Sequence, residues 1–181
     1  MSGENPWRTL ASRVVYTNPW MTVREDRVVR PDGEEGIYGV IETCAATGVV
    51  ALTDDDQVYL VGQWRYAFDA YSWEIPEGGA EKGEAPIDAA RRELEEEAGV
   101  VAEHLEPLGA PFHLTNSLSS ETGYLFLARG LKKTATNPDP TEQLVVKTVP
   151  FEEALAMVDD GTITDSVTII ALLRAARLRS A

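Results

Sequence analysis

The sequence predicts an α/β/α sandwich built on a mixed sheet and preceded by a small antiparallel sheet. Two observations lead to this fold class. Along most of the chain, β-prone runs alternate with amphipathic helical segments, a pattern typical of a sheet covered by helices on both faces. The first part of the chain instead contains β-prone runs separated by turns. We therefore expect an N-terminal β extension, residues 1–44, and a main domain, residues 45–181.

Three β-prone segments form the predicted N-terminal sheet. The first two, Arg13–Tyr16 and Met21–Val29, are joined by Asn18-Pro19. Pro31-Asp32-Gly33 then makes a turn before a third strand at Gly36–Glu42, because proline and glycine supply the dihedral angles that turns require. The segments together predict a sheet of about 40 residues ahead of the main domain.

The main domain is predicted to alternate strands with three helices. Strands are expected at residues 49–52, 58–61, 71–75, 105–108, 122–127 and 144–149. Helices are expected at residues 86–98, 151–158 and 165–179. The first two strands should form a hairpin around Asp54, Asp55 and Asp56, which we interpret as a polar turn in preference to a metal site. Residues 132–142 are polar and contain prolines, so we expect a mobile loop there.

Composition and charge narrow the functional classes. The chain has 181 residues and a net charge of −14, and its basic residues form no run, so a nucleic-acid binder is not expected. No apolar stretch approaches membrane-spanning length and the first residues lack the features of a secretion signal, so we expect a cytoplasmic protein with no membrane partner. Cys44 is the single cysteine, which excludes an intrachain disulfide, and its apolar neighbours predict a buried side chain.

The first predicted helix is the most informative element. Pro86 suits its first turn, and Gly99 suits the position just after its end. Its inward-facing apolar stripe comprises Ile87, Ala90, Leu94 and Ala98. On another face, Glu93, Glu96 and Glu97 are three and four residues apart and can converge on one point. Converging carboxylates repel one another unless a cation lies among them, and Mg²⁺ or Mn²⁺ is the expected occupant.

These residues belong to a longer pattern, G-x5-E-x7-R-E-U-x-E-E-x-G-U, in which U is a bulky apolar residue. The chain matches every fixed position, at Gly78, Glu84, Arg92, Glu93, Leu94, Glu96, Glu97, Gly99 and Val100. A solvated acidic helix face explains a single glutamate such as Glu95, but not the whole pattern. In this pattern the chain resembles the Nudix hydrolases. The resemblance implies the α/β/α fold and hydrolysis of a nucleoside diphosphate linked to another moiety.

The resemblance also implies roles for individual residues. Glu93 and Glu97 would be the principal ligands of Mg²⁺ or Mn²⁺, and Glu96 would be a further ligand or would orient water. The backbone carbonyl of Glu77 would also bind metal, and Arg92 would hold a carboxylate in place. The ions would neutralise the pyrophosphate and lower the pKa of a bound water, so no covalent nucleophile is needed.

Acids outside the signature helix are further candidates. Glu84 would support the helix or a second metal ion. Members of the family also use a loop glutamate as a base or an extra ligand, and Glu121 and Glu142 are the candidates here, although loop acids are usually only solvated.

ADP-ribose hydrolases commonly carry Ser-Pro-Gly in this loop, where the chain has Thr115-Asn116-Ser117. The missing proline favours a broader or sugar-selective nucleotide-sugar hydrolase.

Outside the signature, the chain resembles the branch of the family that hydrolyses ADP-ribose and nucleoside-diphosphate sugars. The likeness is looser than the signature but extends over nearly the whole chain. It is carried by Tyr16-Thr-Asn-Pro-Trp20 with Pro31-Asp-Gly33, Gln63-Trp-Arg65 with Trp73-Glu-Ile-Pro76, Ser119-Ser-Glu121, and Asp160-Gly161 with Thr164-Asp165-Ser-Val-Thr-Ile169. In that branch the N-terminal sheet is exchanged across a homodimer and both subunits build the substrate pocket. The resemblance therefore implies a homodimer with a small-molecule nucleotide substrate.

Three residues in these patches would contact the substrate. Trp20 would stack on a nucleobase, although packing beneath the small sheet explains the indole equally well. Arg65 would contact phosphate or ribose, against the alternative of a surface cation. Glu74 would bind the base edge or the neighbouring subunit.

The leading prediction is a metal-dependent hydrolase that cleaves ADP-ribose or a nucleoside-diphosphate sugar to a nucleoside monophosphate and a sugar phosphate. Two alternatives stay open. One is a pyrophosphohydrolase that removes non-standard nucleoside triphosphates, although such enzymes are typically shorter and lack the N-terminal sheet. The other is a non-catalytic ligand-sensing domain, although such domains usually lose a signature carboxylate and this chain retains all of them.

Overall fold

The computed structural model of the chain describes residues 3–135 and 143–180. The chain forms two compact units, which are described separately. The first unit comprises Met1–Cys44 and His113–Glu121, and the second comprises Ala45–Phe112 and Thr122–Ala181. Among the described helices, none combines the length and the apolar character that crossing a membrane would require.

The first unit is a three-stranded antiparallel sheet with a loop added to its edge. Its strands are β1 (Arg8–Thr17), β2 (Met21–Val29) and β3 (Glu35–Thr43), in the order β1-β2-β3. The added loop bonds to β3 through Ile41, whose N–H donates to the Leu118 carbonyl at 2.9 Å and whose carbonyl accepts from the Ser120 N–H at 3.0 Å. The predicted N-terminal sheet is confirmed, with a first strand longer than expected.

Where the structure describes it, the second unit contains two sheets and three helices. Its strands are β4 (Ala46–Ala51), β5 (Gln57–Arg65), β6 (Ala70–Glu74), β7 (Glu77–Gly79), β8 (Val100–Pro107), β9 (Phe112–His113), β10 (Thr122–Lys133) and β11 (Val145–Pro150). Its helices are α1 (Pro86–Ala98), α2 (Phe151–Asp159) and α3 (Ser166–Arg179). One sheet runs β7-β4-β10-β8 and is mixed, because β4 and β10 are parallel and the other neighbours are antiparallel. The other sheet, β11-β5-β6, is antiparallel.

Helices cover both faces of β4, as the alternation of side chains along that strand shows. Val49 and Ala51 lie in one buried cluster with Leu94 of α1. Gly48 faces the opposite side, where a Cβ atom on it would lie 2.8 Å from Val167 of α3. The predicted α/β/α arrangement on a mixed sheet is therefore confirmed.

Two local predictions differ from the structure. Cys44 is exposed and not buried, because it lies in the connection between the end of β3 and the start of β4 and is not part of a strand packed on the core. The predicted hairpin of β4 and β5 is reduced to an isolated bridge between Leu52 and Val58. Its two strands diverge into different sheets, because β10 pairs with β4 while β11 and β6 pair with β5.

Candidate metal-binding and catalytic site

Helix α1 carries the signature acids and has the predicted bounds, Pro86–Ala98. Pro86 occupies its first turn, and the helix ends at Gly99, which adopts the left-handed conformation with φ 63° and donates its N–H to the Glu95 carbonyl at 3.0 Å. A side chain is disfavoured in that conformation, so glycine stops the helix at low cost. The inward face buries Leu94, and Glu97 is also buried at 4% exposure. The helix therefore holds one signature carboxylate against the core.

Arg92 links three signature acids through its guanidinium group. Its Nε and Nη2 atoms each donate to a separate oxygen of Glu84, at 3.1 and 3.0 Å. Its Nη1 atom donates to Glu93 at 2.7 Å and to Glu96 at 3.1 Å, and Nη2 also reaches the Gly79 carbonyl at 3.1 Å. The hydrogen bonds with Arg92 lower the pKa of Glu84. These hydrogen bonds are of the kind that the predicted role of Arg92, holding a carboxylate in place, requires.

The backbone of β7 approaches α1 so closely that Gly78 has no space for a side chain. A Cβ atom at this position would overlap the Glu93 carboxylate. Only glycine allows a backbone to lie this near to a charged group on a neighbouring helix. The requirement for glycine at the first signature position is therefore steric, since no left-handed φ is recorded for Gly78.

Glu97 is held by the residue just before this glycine. The backbone N–H of Glu77 donates to Glu97 Oε2 at 2.9 Å, across twenty positions in the sequence. A backbone amide that donates to a carboxylate forms a strong, charge-assisted hydrogen bond. The structure thus brings Glu77, Gly78, Glu93 and Glu97 together. Glu96 is linked to this group by its hydrogen bond with Arg92.

A second acidic group lies next to this place, and sequence reasoning did not identify it as a group. Carboxylate oxygens of Glu74, Glu77 and Asp165 lie within 4.8 Å of one another. Arg65 donates to both oxygens of Glu74, which is 2% exposed, and also lies 3.7 Å from Glu77. Burial, followed by the negative charge of Asp165, raises the pKa of Glu77 well above its ordinary range. Asp165 belongs to the C-terminal patch of the sequence, but no periodicity indicated that it faces Glu77.

The donor set suits a hard divalent cation. Glu93, Glu96 and Glu97 offer only carboxylate oxygens, which Mg²⁺ and Mn²⁺ prefer over nitrogen or sulfur. Arg92 supplies positive charge between two of these acids, and this charge offsets part of their repulsion. The residues present therefore fit the metal that the signature implies.

The remaining predicted residues lie in the first unit or outside the described chain. Trp20 is 77% exposed, so its indole does not pack beneath the small sheet. Its backbone N–H donates to Asn18 Oδ1 at 2.9 Å, which shapes the β1–β2 turn. Burial raises the pKa of Glu121. Glu142 lies outside the described residues, and its role stays a prediction of the sequence.

Two family profiles match the chain. The profile of the NUDIX domain matches residues 42–169, and the profile of the nucleoside diphosphate sugar hydrolase N-terminal domain matches residues 7–41. The chain therefore belongs to the Nudix family.

Proteins similar over nearly the full length support this assignment. The chain is 30% identical over 167 residues to the methanol dehydrogenase activator of Bacillus methanolicus, covering 91% of this chain and 90% of that protein. It is equally similar, with the same coverage, to the ADP-ribose pyrophosphatase of Bacillus subtilis (strain 168). The ADP-ribose pyrophosphatase of Mycobacterium tuberculosis is 29% identical, over 94% of this chain and 83% of that protein.

The fold is also shared with a solved structure described as the crystal structure of ADP compounds hydrolase. The two chains align with a TM-score of 0.87 and 21% identity, covering 99% of this chain and 97% of the other. This likeness therefore includes the N-terminal sheet as well as the NUDIX domain.

Proposed function

We propose that the protein hydrolyses the diphosphate of ADP-ribose or of a nucleoside-diphosphate sugar with the help of Mg²⁺ or Mn²⁺. One water is consumed, and the products are a nucleoside monophosphate and a sugar phosphate. The observation that carries the proposal is the complete acid set on α1, with Glu97 fixed by the Glu77 amide and Glu93 against Gly78. The substrate class is supported by the names of two similar proteins and by the N-terminal profile match.

In this proposal the acids of α1 bind the cation. Glu93 and Glu97 are the principal ligands, the Glu77 carbonyl adds one more, and Glu96 is a further ligand or orients water. When bound, the divalent cation offsets the negative charge of the diphosphate and makes water a stronger nucleophile near neutral pH. Arg92 keeps Glu93 and Glu96 oriented toward this point through its hydrogen bonds to both. No covalent nucleophile is required of the protein.

Residues of the first unit would provide substrate contacts. Exposed Trp20 has a free indole face, and stacking on a base is sequence-tolerant because every base has a π-face. Glu121 is the proposed loop acid in the described chain, and burial raises its pKa, which makes its carboxylate a stronger base. We also propose the homodimer in which the N-terminal sheet is exchanged. A cytoplasmic location stays a prediction of the sequence.

Arg65 and Glu74 enter the proposal with a restriction set by the structure. Both oxygens of Glu74 accept hydrogen bonds from Nε and Nη2 of Arg65, so Glu74 reaches a ligand only by giving up part of that pair. Arg65 is partly exposed, which leaves part of its guanidinium accessible to phosphate or ribose. We therefore propose Arg65 as the substrate contact and Glu74 as the group that orients it.

The proposal is tested by offering purified protein a panel of ADP-ribose, nucleoside-diphosphate sugars and nucleoside triphosphates with Mg²⁺ or Mn²⁺. We expect cleavage of the first two classes into two monophosphorylated products, and loss of activity after chelation with recovery on metal addition. Release of pyrophosphate from triphosphates would support the triphosphate alternative. Tight nucleotide binding without turnover in either metal would support the ligand-sensing alternative.

A matched pair of variants tests whether the acids of α1 are required for catalysis. Glu97→Gln should lower kcat at least about a hundredfold, because a charged metal ligand becomes a neutral amide. Glu95→Gln changes the same functional group on the exposed side of the same helix and should retain wild-type activity. Equal losses in both variants would contradict the assignment.

A further inference from the structure

Residues 75–78, which include the connection between β6 and β7 and the first two residues of β7, are held at several backbone atoms, and we call them the 75–78 segment. The Pro76 carbonyl accepts from the Val49 N–H at 2.9 Å, and the Gly78 carbonyl accepts from Thr47 Oγ1 at 3.2 Å. The Glu77 N–H donates to Glu97. Proline has no N–H, so the donors of residues 75–77 are the amides of Ile75 and Glu77. The orientation of the Glu77 amide therefore depends on how Ile75 is held.

Ile75 is held by Thr168 on helix α3, at a distance of 93 positions in the sequence. Its N–H donates to Thr168 Oγ1 at 3.0 Å, and the Thr168 side chain is fully buried at 0% exposure. A hydroxyl has one hydrogen to donate, and Thr168 Oγ1 donates it to Glu77 Oε2, with 3.5 Å between the two oxygens. The Thr168 backbone is fixed in turn, because its N–H donates to Asp165 Oδ2 at 2.7 Å. Asp165 and Thr168 lie in the C-terminal sequence patch, which has no role in the function proposed so far.

We propose that Thr168 is a positioning residue for Glu97. Its hydroxyl fixes Ile75, and the locked φ angle of Pro76 transmits that constraint to the Glu77 amide, which holds the Glu97 carboxylate. Without the hydroxyl, the Ile75 N–H is buried with no acceptor, so the segment shifts to satisfy it. The inference rests on the proposed function, in which Glu97 is a metal ligand. Groups that orient metal ligands in this indirect way typically change metal affinity or activity when removed.

The test compares three variants. Thr168→Val replaces the hydroxyl by a methyl group of similar size, and Thr168→Ser keeps the hydroxyl. Thr53→Val is the matched control, because Thr53 Oγ1 also accepts from a backbone amide, that of Gln57 at 2.9 Å, but lies in the β4–β5 turn. A loss seen only in Thr168→Val isolates the hydroxyl that holds Ile75.

The first readout uses metal-free protein and no substrate. Amide hydrogen exchange of Glu77 should become about tenfold faster in Thr168→Val, because the segment opens more often, while that of Gln63 in strand β5 stays at its wild-type rate. The second readout is the dissociation constant of Mn²⁺, which should rise about tenfold in Thr168→Val. Thr168→Ser and Thr53→Val should stay within about twofold of wild type in both.

Kinetics supply the third readout. Thr168→Val should lower kcat about tenfold while KM changes by less than about twofold, because the hydroxyl acts on the metal ligand and not on the substrate. Thr168→Ser should restore kcat. A variant that is merely less stable would regain full kcat when assayed well below its unfolding temperature, which would count against a positioning role.

Several results would overturn the inference. The first is a Thr168→Val variant whose Mn²⁺ dissociation constant and Glu77 amide exchange rate equal those of the wild type. The second is a loss of Mn²⁺ affinity and kcat that is equal in the valine and serine variants. If Thr168→Val does not fold, the wild-type protein still decides, since an unprotected Ile75 amide would contradict the hydrogen bond. If exchange and Mn²⁺ affinity respond as expected but no diphosphate substrate is cleaved, the proposed function fails and the positioning role stands.

Discussion

Arg92 and Glu84 form a two-point ion pair across eight positions of the sequence, with Nε–Oε1 and Nη2–Oε2 distances of 3.1 and 3.0 Å. The pair ties the loop before α1 to the middle of the helix. Because the same guanidinium also binds Glu93 and Glu96, the acids of α1 are oriented by a residue of their own helix. The planar group of arginine can serve all these acceptors together, which a lysine ammonium group cannot.

Arg92→Lys should therefore weaken both stability and activity. We expect the free energy of unfolding to fall by about 1–2 kcal/mol, because several charge-assisted hydrogen bonds are lost and the partners are partly buried. We expect kcat to fall about tenfold, because Glu93 and Glu96 lose their common donor. Urea unfolding of the metal-free protein and steady-state kinetics measure the two effects. Arg91→Lys, on the exposed side of α1, is the control, and an equally stable and active Arg92→Lys would refute the role.

Gly78→Ala should displace Glu93, because the added methyl group occupies the space of its carboxylate. We expect kcat to fall about a hundredfold and Mn²⁺ affinity to fall with it, since a ligand is moved from its productive position. Gly39→Ala is the matched control, because Gly39 has open space around its Cα atom. Titration with Mn²⁺ and kinetics at saturating substrate distinguish the two variants. Wild-type metal affinity in Gly78→Ala would show that the contact is unimportant.

Glu77→Gln should change how stability depends on pH. The folded-state pKa of Glu77 lies above the ordinary value of 4.5, because burial disfavours its charge. The contribution of Glu77 to the free energy of unfolding is thus complete below pH 4.5 and is lost as the pH rises through the folded-state pKa. Glutamine imitates the protonated form, so the metal-free variant should match wild type near pH 4 and exceed it by about 1 kcal/mol near pH 8.

Denaturant unfolding at a series of pH values measures this difference. Glu81→Gln, which changes an exposed acid a few residues away, controls for the loss of one negative charge. A constant difference between Glu77→Gln and wild type across the whole range would contradict the raised pKa. A variant that becomes less stable than wild type as the pH rises would reverse the sign and contradict it as well.

Trp20→Ala should weaken substrate binding without changing the chemistry. Loss of a stacked indole raises KM about tenfold, because stacking on an aromatic side chain contributes on the order of 1–3 kcal/mol per base. Trp20→Phe keeps a flat aromatic ring and should recover most of the affinity. Kinetics with the best substrate of the panel provide the measurement. If KM is unchanged in Trp20→Ala, the exposed indole has another purpose.

Much of α1 was predictable because its determinants are local. Proline at the start, glycine at the end and apolar residues at helical spacing define its bounds, and the structure places the helix at those bounds. The same is true of α3, whose predicted start coincides with Asp165 as the capping residue. The family match confirms the class of protein that the signature spacing indicated.

Other features could not be read from neighbouring residues. The exposure of Cys44 and the separation of β4 and β5 depend on which strands pair, and no local pattern encodes that choice. The roles suggested for Trp20, Arg65, Glu74 and Glu121 stay predictions that the structure describes but does not test. The pairing of Arg65 with Glu74 was also missed, because the residues belong to two adjacent strands whose register only the folded sheet defines.

The sequence by itself determined the signature helix, the acids on it and the family, since these follow from spacings within about two dozen residues. Only the tertiary structure decided which groups contact those acids and their neighbours. The Glu77 amide donates to Glu97, the Gly78 backbone lies against Glu93, and the Ile75 amide donates to Thr168. These contacts join segments that are separated by up to 93 positions, and each depends on a backbone atom. Every residue has such backbone atoms, so the sequence alone does not indicate which ones will meet.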